Sequence, residues 1–151
     1  MQILVRSANP SDSKHISQFQ IEMAWETEHL KLKHSIVKNG VDSVLSDPAK
    51  GQYFLAEVNS NIIGSLLVTY EWSDWRSCTI LWIQSVYVKP SFRKRGVYAM
   101  LYNHVKRIVE NDQSYGGIRL YVDNDNLSAQ QVYSRMGMNG DHYKVFEWMK
   151  K

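Results

Sequence analysis

The segment Cys78–Val88 constrains the fold more than any other part of the chain, because its apolar side chains fall on both alternating faces. A strand of this kind is buried on both sides and lies inside a sheet. Lys89-Pro90 ends the strand, since proline cannot donate to a strand ladder, and Gly96 leads into a stretch with apolar residues at helical spacing. The chain is therefore expected to build a sheet with helices packed on it.

Strand and helix signals alternate along the rest of the chain. Asn9-Pro10-Ser11-Asp12 has the polar cap and early proline of a helix start, and Asn59-Ser60 is a polar hairpin turn. The pattern predicts strands over residues 2–7, 52–58, 61–70, 78–88, 118–122 and 143–149, and helices from the Asn9 cap to residue 28 and over 32–45, 93–110 and 127–136. We therefore expect an α+β fold, a single domain over residues 1–151. Its central mixed, mostly antiparallel sheet should have about six to seven strands flanked by about four helices.

Composition narrows the class of protein. The chain has 151 residues and a net charge of +3, which is too small an excess to indicate a nucleic-acid partner by itself. No apolar run is long enough to cross a bilayer, and the first residues do not resemble a signal peptide. The lone cysteine, Cys78, cannot form an internal disulfide and is expected to be a buried strand thiol. These features favour a cytoplasmic protein with no nucleic-acid partner and no membrane partner.

A basic turn follows the buried strand and precedes a helix. Arg93, Lys94 and Arg95 place positive charge next to the positive end of the helix dipole, where it disfavours the helix unless an anion is bound. Gly96 allows the backbone to approach such an anion closely. A solvated basic turn that merely precedes a helix is the alternative. The pattern favours an anion site.

This turn resembles the acyl-CoA pyrophosphate loop of the GNAT superfamily of N-acyltransferases, whose pattern is Gln/Arg-x-x-Gly-x-Gly/Ala. The sequence matches except at Tyr98, where the family has a small residue. The resemblance implies that the loop amides hold the pyrophosphate and that the backbone of the preceding strand holds the pantetheine arm. The cofactor-binding residues implied are Val86, Tyr87, Val88, Arg93, Lys94, Arg95, Gly96, Val97 and Tyr98.

A second segment continues the resemblance. Residues 126–138 are similar to the family's Asn-x-x-Ala-x-x-x-Tyr-x-x-x-Gly-Phe, with Met138 in place of Phe. The resemblance implies that Asn126 contacts the cofactor arm and that Tyr133 also lies at the cofactor, as the general acid that protonates the leaving thiolate. A phenol remains protonated at neutral pH and can donate that proton. Taken alone, Tyr133 would be a core tyrosine and Asn126 a helix N-cap.

The general base is left unassigned. Many relatives have a glutamate on the strand before the pyrophosphate loop, and the matching residue here is Gln84, which cannot accept the proton. The candidates are Glu22, Glu26, Glu71 and Asp74. The first two share one helix face, which could equally be a solvated acidic face. The other two lie beside Trp72 and Trp75, whose rings could wall a substrate pocket or cap the sheet edge.

The resemblance implies an N-acetyltransferase that uses acetyl-CoA and acts on a primary amine, either a small cationic amine or a protein amine. The amine would attack directly in a ternary complex. A non-catalytic acyl-CoA-binding module is the alternative, favoured by Gln84 and Tyr98. His104 and His142 have no ligand-like partners nearby in the sequence, so we expect no metal. Relatives are often dimers, which leaves a homodimer open.

Overall fold

Five strands form one sheet in the order in which they occur along the chain. They are β1 (Leu4–Ser7), β2 (Gln52–Val58), β3 (Asn61–Ser73), β4 (Cys78–Val88) and β5 (Tyr115–Arg119). Neighbours from β1 to β4 are antiparallel, and β5 runs parallel to β4. The sheet is therefore mixed and mostly antiparallel, as expected.

The computed structural model describes residues 1–151, which separate into two compact units, Met1–Arg119 and Leu120–Lys151. The first unit contains the sheet and three helices, and the second contains one. The helices are α1 (Ser13–Glu28), α2 (His34–Ser46), α3 (Val97–Asn111) and α4 (Leu127–Arg135), with 3₁₀ turns at Pro10–Asp12 and Pro90–Phe92. The α+β class and the four helices are confirmed.

The sheet is covered on both faces because its strands alternate between two cores. On one face, Ile16 and Phe19 of α1 and Val41 of α2 pack on Tyr53 and Leu55 of β2. Phe54, between those two strand residues, belongs to the other face, where its ring lies 4.9 Å from that of His104 in α3. Alternation along a single strand thus fixes which helix covers which side.

The β2–β3 connection confirms the predicted hairpin turn. Asn59 and Ser60 have φ angles of 49° and 62°, as the two central residues of a type I′ turn require. Asn has an unusually low cost in this left-handed region because its short side chain can hydrogen-bond locally. The turn sets the register that brings the two long strands together.

The predicted sheet of six to seven strands is wrong in its count. Residues 143–149 form no strand, and their large side chains are exposed, with Phe146 at 94% and Trp148 at 87%. Strand propensity measures how well side chains pack between neighbouring strands, and this segment has no strand neighbour. β5 also begins three residues earlier than the predicted 118–122, and α3 begins at Val97 rather than at residue 93.

An ion-pair network anchors the start of α1 to the sheet. Arg6 of β1 contacts Asp12 at 2.8 Å and Glu57 of β2 at 2.6 Å, and the two carboxylates are mostly buried. The hydrogen bond from Arg6 holds the pKa of Asp12 below its usual value. Asp12 also accepts the backbone N–H of Asn9 at 2.8 Å, which completes a capping box.

Replacing Arg6 by Met should lower the free energy of unfolding at pH 7 by about 2 kcal/mol, because two buried carboxylates lose their partner. The Asp12 contribution is present above the unfolded pKa of about 3.9 and is lost as pH falls through the lower folded pKa. Urea unfolding at pH 7 and pH 3 should therefore show a smaller acid-induced loss in Arg6→Met than in the wild type. Lys14→Met, on an exposed residue, is the control. Equal stability of the two variants at pH 7 would contradict this account.

Candidate functional site

The second half of β4 extends beyond its pairing with β5. The parallel ladder ends at Trp82, opposite Arg119, whereas pairing with β3 continues to Val88. The register with β3 shifts between Ser65 and Leu67, opposite a bulge in which Ser85 has φ of +50°. Residues 83–88 therefore lack a β5 partner, and this stretch includes the three residues expected to hold a pantetheine arm.

The chain then turns sharply into α3. The Lys89 N–H donates to Ile63 O at 2.9 Å, which ends the ladder, and a 3₁₀ turn follows at Pro90–Phe92. Lys94 and Gly96 both have left-handed φ angles, +60° and +78°. Two left-handed residues so close together re-aim successive backbone N–H groups, which is the geometry from which anion-binding concavities are built.

The N-terminus of α3 has no side-chain cap. Gly96 is the N-cap residue and has no side chain that could accept the first N–H groups of the helix, and the first turn contains no acidic residue. A Cβ built on Gly96 would have no atom within 4 Å outside the neighbouring residues, so the space beside Gly96 is open. The first turn of α3 thus presents backbone N–H groups that a residue at the N-cap does not bind, together with the positive end of the helix dipole.

Exposed cations surround this turn. Arg93 is bound by the protein itself, because its Nε donates to Val88 O at 2.8 Å and its Nη2 pairs with Glu26 at 2.7 Å. Lys94 and Arg95 form no ion pair, and the Arg95 guanidinium lies 5.8 Å from the Phe92 ring. The local excess of positive charge, next to the N-terminus of a helix, suits a multiply charged phosphate group.

Two of the four acidic candidates lie at this end of β4. Glu22 accepts a hydrogen bond from the Tyr87 hydroxyl at 2.6 Å and one from Gln18 at 3.1 Å, and Glu26 pairs with Arg93. Burial, together with the bond to Glu22, raises the pKa of Tyr87 well above its usual value, so this phenol is a fixed donor. The two α1 carboxylates are therefore brought to the basic turn.

The other two candidates lie near the β3–β4 hairpin. Glu71 is paired with Ile80 in the ladder, about 23 Å along β4 from Tyr87 at the usual rise per residue. It accepts from Trp82 Nε1 at 2.8 Å and from Arg119 at 2.6 Å, and these bonds lower its pKa. Asp74 caps the Trp75 N–H at 2.9 Å in the exposed hairpin loop. Neither carboxylate adjoins the basic turn.

Gln84 lies in the stretch of β4 that has no β5 partner, half-buried, and its amide donates to Thr69 Oγ1 of β3. The side chain at this position is therefore a neutral amide that is hydrogen-bonded to β3. Tyr98, the departure in the loop, is half-buried, and its ring lies 6.2 Å from that of Tyr102, one turn further along α3. Cys78 is buried, as expected.

A family model described as the acetyltransferase (GNAT) family matches residues 11–138. The chain is a member of the GNAT acetyltransferase family. The matched range includes the basic turn and the segment around α4. A search among curated proteins found no match.

Several solved structures resemble this GNAT chain. One is described as a "possible acetyltransferase" from Clostridium difficile 630, with 35% identity, a TM-score of 0.92, and coverage of 100% of this chain and 99% of the other. The aminoglycoside N-acetyltransferase AAC(6')-Iy with a bisubstrate analogue of CoA has 18% identity, a TM-score of 0.80 and full coverage of both chains. A ribosomal-protein-alanine N-acetyltransferase from Brucella melitensis biovar Abortus 2308 has 13% identity, a TM-score of 0.80, and coverage of 99% and 100%. The last two structures have the same fold as this chain.

The second GNAT segment is built around α4. Asn126 is its N-cap, and its Oδ1 accepts the Ala129 N–H at 3.1 Å. Tyr133 is half-buried within the helix, and its carbonyl accepts the Met138 N–H at 3.0 Å beyond Gly137, which has φ of +88°. This bond and the left-handed glycine form a Schellman ending. Asn126 is therefore a helix N-cap, the role expected of it when the family resemblance is set aside.

The remaining candidate features lie elsewhere. No group of three or more His, Cys, Asp or Glu side chains is arranged to hold a metal ion, and none of the helices could span a bilayer. One surface depression of about 430 Å³ lies between Pro10 and α2, and another of about 480 Å³ lies along α4. Neither includes a residue of the basic turn.

Three features of β4 and the basic turn had no clear signal in the sequence. The left-handed conformations of Ser85 and Lys94 are unusual for residues other than glycine, asparagine and aspartate. The pairing of Arg93 with Glu26 joins residues 67 positions apart. A polar serine within an apolar strand was the one hint of the bulge.

Proposed function

We propose that this GNAT family member transfers an acetyl group from acetyl-CoA to a primary amine, by direct attack within a ternary complex. The observation that carries the proposal is the start of α3, where a helix N-terminus without a side-chain cap, Gly96 and the cations of the basic turn meet. A diphosphate is the ligand group whose charge and acceptor oxygens match that combination. The GNAT domain in this proposal covers residues 1–151.

The strand before the turn supplies the second half of the argument. The unpaired side of Val86, Tyr87 and Val88 offers backbone groups of the kind that accept an additional extended chain. A pantetheine arm carries two amide groups and can hydrogen-bond along such a strand. The diphosphate at Gly96 and the arm at β4 would then place the thioester towards Gln84 and the bulge. Asn126 is proposed as a further contact to the arm.

The chemistry requires a neutral amine, since only roughly one lysine-like amine in a thousand is unprotonated at neutral pH. The amine nitrogen bonds to the thioester carbonyl carbon and the carbon–sulfur bond breaks. One proton leaves the nitrogen for a base, and Tyr133 gives a proton to the departing thiolate. Glu22, Glu26, Glu71 and Asp74 are the candidate bases, and the structure holds Glu22 on Tyr87 of β4 and Glu26 on Arg93 of the basic turn.

A cationic acceptor fits the acidic side chains near β4, and a small amine or a protein amine would both meet this requirement. The solved aminoglycoside and ribosomal-protein acetyltransferases show that the fold serves acceptors of both sizes. The alternative proposal is a module that binds acyl-CoA without catalysis. It is favoured by the neutral Gln84 amide, which is joined to Thr69 where many relatives have a glutamate.

Replacing Arg95 by Ala should weaken acetyl-CoA binding about tenfold, because a charge-assisted contact to phosphate is lost. Isothermal titration calorimetry measures the dissociation constant. Lys106→Ala is the matched control, since it removes the same charge from an exposed position two to three turns along α3. Unchanged affinity in Arg95→Ala, or no binding of acetyl-CoA to the wild type, would contradict the proposal.

Replacing Tyr133 by Phe should lower kcat at least tenfold and leave the acetyl-CoA dissociation constant within about twofold, because the hydroxyl acts on the leaving thiolate. Release of the CoA thiol, followed over a panel of primary amines, measures turnover. Loss of affinity with normal turnover would make Tyr133 a structural residue. Thiol release by the wild type no faster than background hydrolysis with every amine would favour the binding module instead.

A further inference from the structure

Arg93 is the one cation of the basic turn that the protein already neutralises. Its Nη2 lies 2.7 Å from Glu26 Oε2, and its guanidinium carbon lies 5.6 Å from the centre of the Tyr87 ring. The Nε donates to Val88 O at 2.8 Å, which holds the side chain back along the end of β4. The charged end of Arg93 is therefore directed to α1, although Lys94 and Arg95 next to it form no ion pair.

The ion pair is exposed enough to be exchanged. The Arg93 side chain is 42% exposed and that of Glu26 is 37% exposed, so water screens their attraction. Pairs of this kind contribute about 0.2–1 kcal/mol. A diphosphate offers more negative charge and more acceptor oxygens than one carboxylate, and it can therefore displace Glu26 from the guanidinium.

A second contact, one helical turn away, keeps α1 in place when the pair opens. The Tyr87 hydroxyl donates to Glu22 at 2.6 Å, and the residue is only 4% exposed. Its ring lies 4.8 Å from that of Phe19, in the core beneath α1. The helix is thus attached to β4 by a buried contact that does not involve Arg93.

We propose that Glu26 is a positioning residue that withholds Arg93 from acyl-CoA in the free protein and releases it when the diphosphate binds. The proposal rests on the proposed function and adds a control on affinity to it. Acyl-CoA binding must break the Glu26–Arg93 pair, so the pair lowers the affinity of the site. The released carboxylate stays near the end of β4, because the Tyr87–Glu22 bond still holds the helix.

Lys89, the other cation at the end of β4 near α1, does not form an equivalent pair. Lys89 lies with its ammonium group 5.8 Å from the centre of the Phe19 ring and has no carboxylate within 4 Å. Glu28, two residues beyond Glu26, is exposed and forms no ion pair. Glu28 therefore carries the same charge on the same helix without the contact, which makes it a matched control.

Glu26→Gln should tighten acetyl-CoA binding about two- to fivefold, because Arg93 no longer has to leave a carboxylate. Calorimetry on the full chain measures the dissociation constant. Glu28→Gln should leave it within experimental error. In an Arg93→Ala background, Glu26→Gln should have no effect, since the competing partner is gone.

This double-mutant cycle separates competition for Arg93 from a structural role of Glu26 and from a general effect of its charge. A structural role would make binding weaker in Glu26→Gln, and simple removal of negative charge would act equally with and without Arg93. Either result, or an unchanged affinity in Glu26→Gln, overturns the inference while leaving the proposed function intact. If acetyl-CoA binds neither the wild type nor Glu26→Gln, the inference and the proposed function fail together.

Discussion

The first turn of α3 contains backbone N–H groups that have no acceptor within the helix and no side-chain cap. Every helix begins with such groups, and a Ser, Thr, Asp or Asn side chain at the N-cap commonly accepts a hydrogen bond from one of them. Here the cap position is Gly96, preceded by three basic residues that make the local potential still more positive. The rest of the site depends on this positively charged helix N-terminus, which favours binding of an anion. The end of β4, its bulge and the basic turn all lead the chain to it.

The strand that precedes the helix also has backbone groups that the sheet leaves accessible to a ligand. The ladder between β4 and β5 ends at Trp82, opposite the last residue of β5, whereas pairing with β3 continues past the bulge at Ser85. A continuous parallel ladder would have used the backbone groups of residues 83–88 within the sheet. These residues and the N-terminus of α3 follow one another in the chain. A single extended ligand with a charged end can therefore contact both. Acyl-CoA has that form.

Much of this arrangement could be predicted from the sequence because its signals are local. The apolar run of β4, the Asn59-Ser60 turn and the glycine before α3 each determine the backbone around them, and the structure agrees. The strand predicted at residues 143–149 failed for the opposite reason. Aromatic and β-branched residues favour a strand only where another strand is beside them, and sequence periodicity does not report that partner.

In the candidate site, too, local features could be predicted from the sequence and contacts between distant residues could not. The basic turn was identifiable from charge and spacing, whereas the separation of the four candidate carboxylates required the fold. α1 brings Glu22 and Glu26 to the end of β4, and the β3–β4 hairpin keeps Glu71 and Asp74 at a distance from it. Contacts between residues more than 60 positions apart depend on how helices cross the sheet, and no short motif encodes that.

The most direct test of the central claim is to follow the backbone amide protons at the start of α3 by NMR while acetyl-CoA is added. If these donors bind the diphosphate, the amides of residues 94–98 will show the largest downfield shifts, because hydrogen bonds to a charged acceptor are strong. Amides at the far end of α3, near Asn111, will change little. Saturation with acetyl-CoA that leaves the amides of residues 94–98 unshifted would contradict the account.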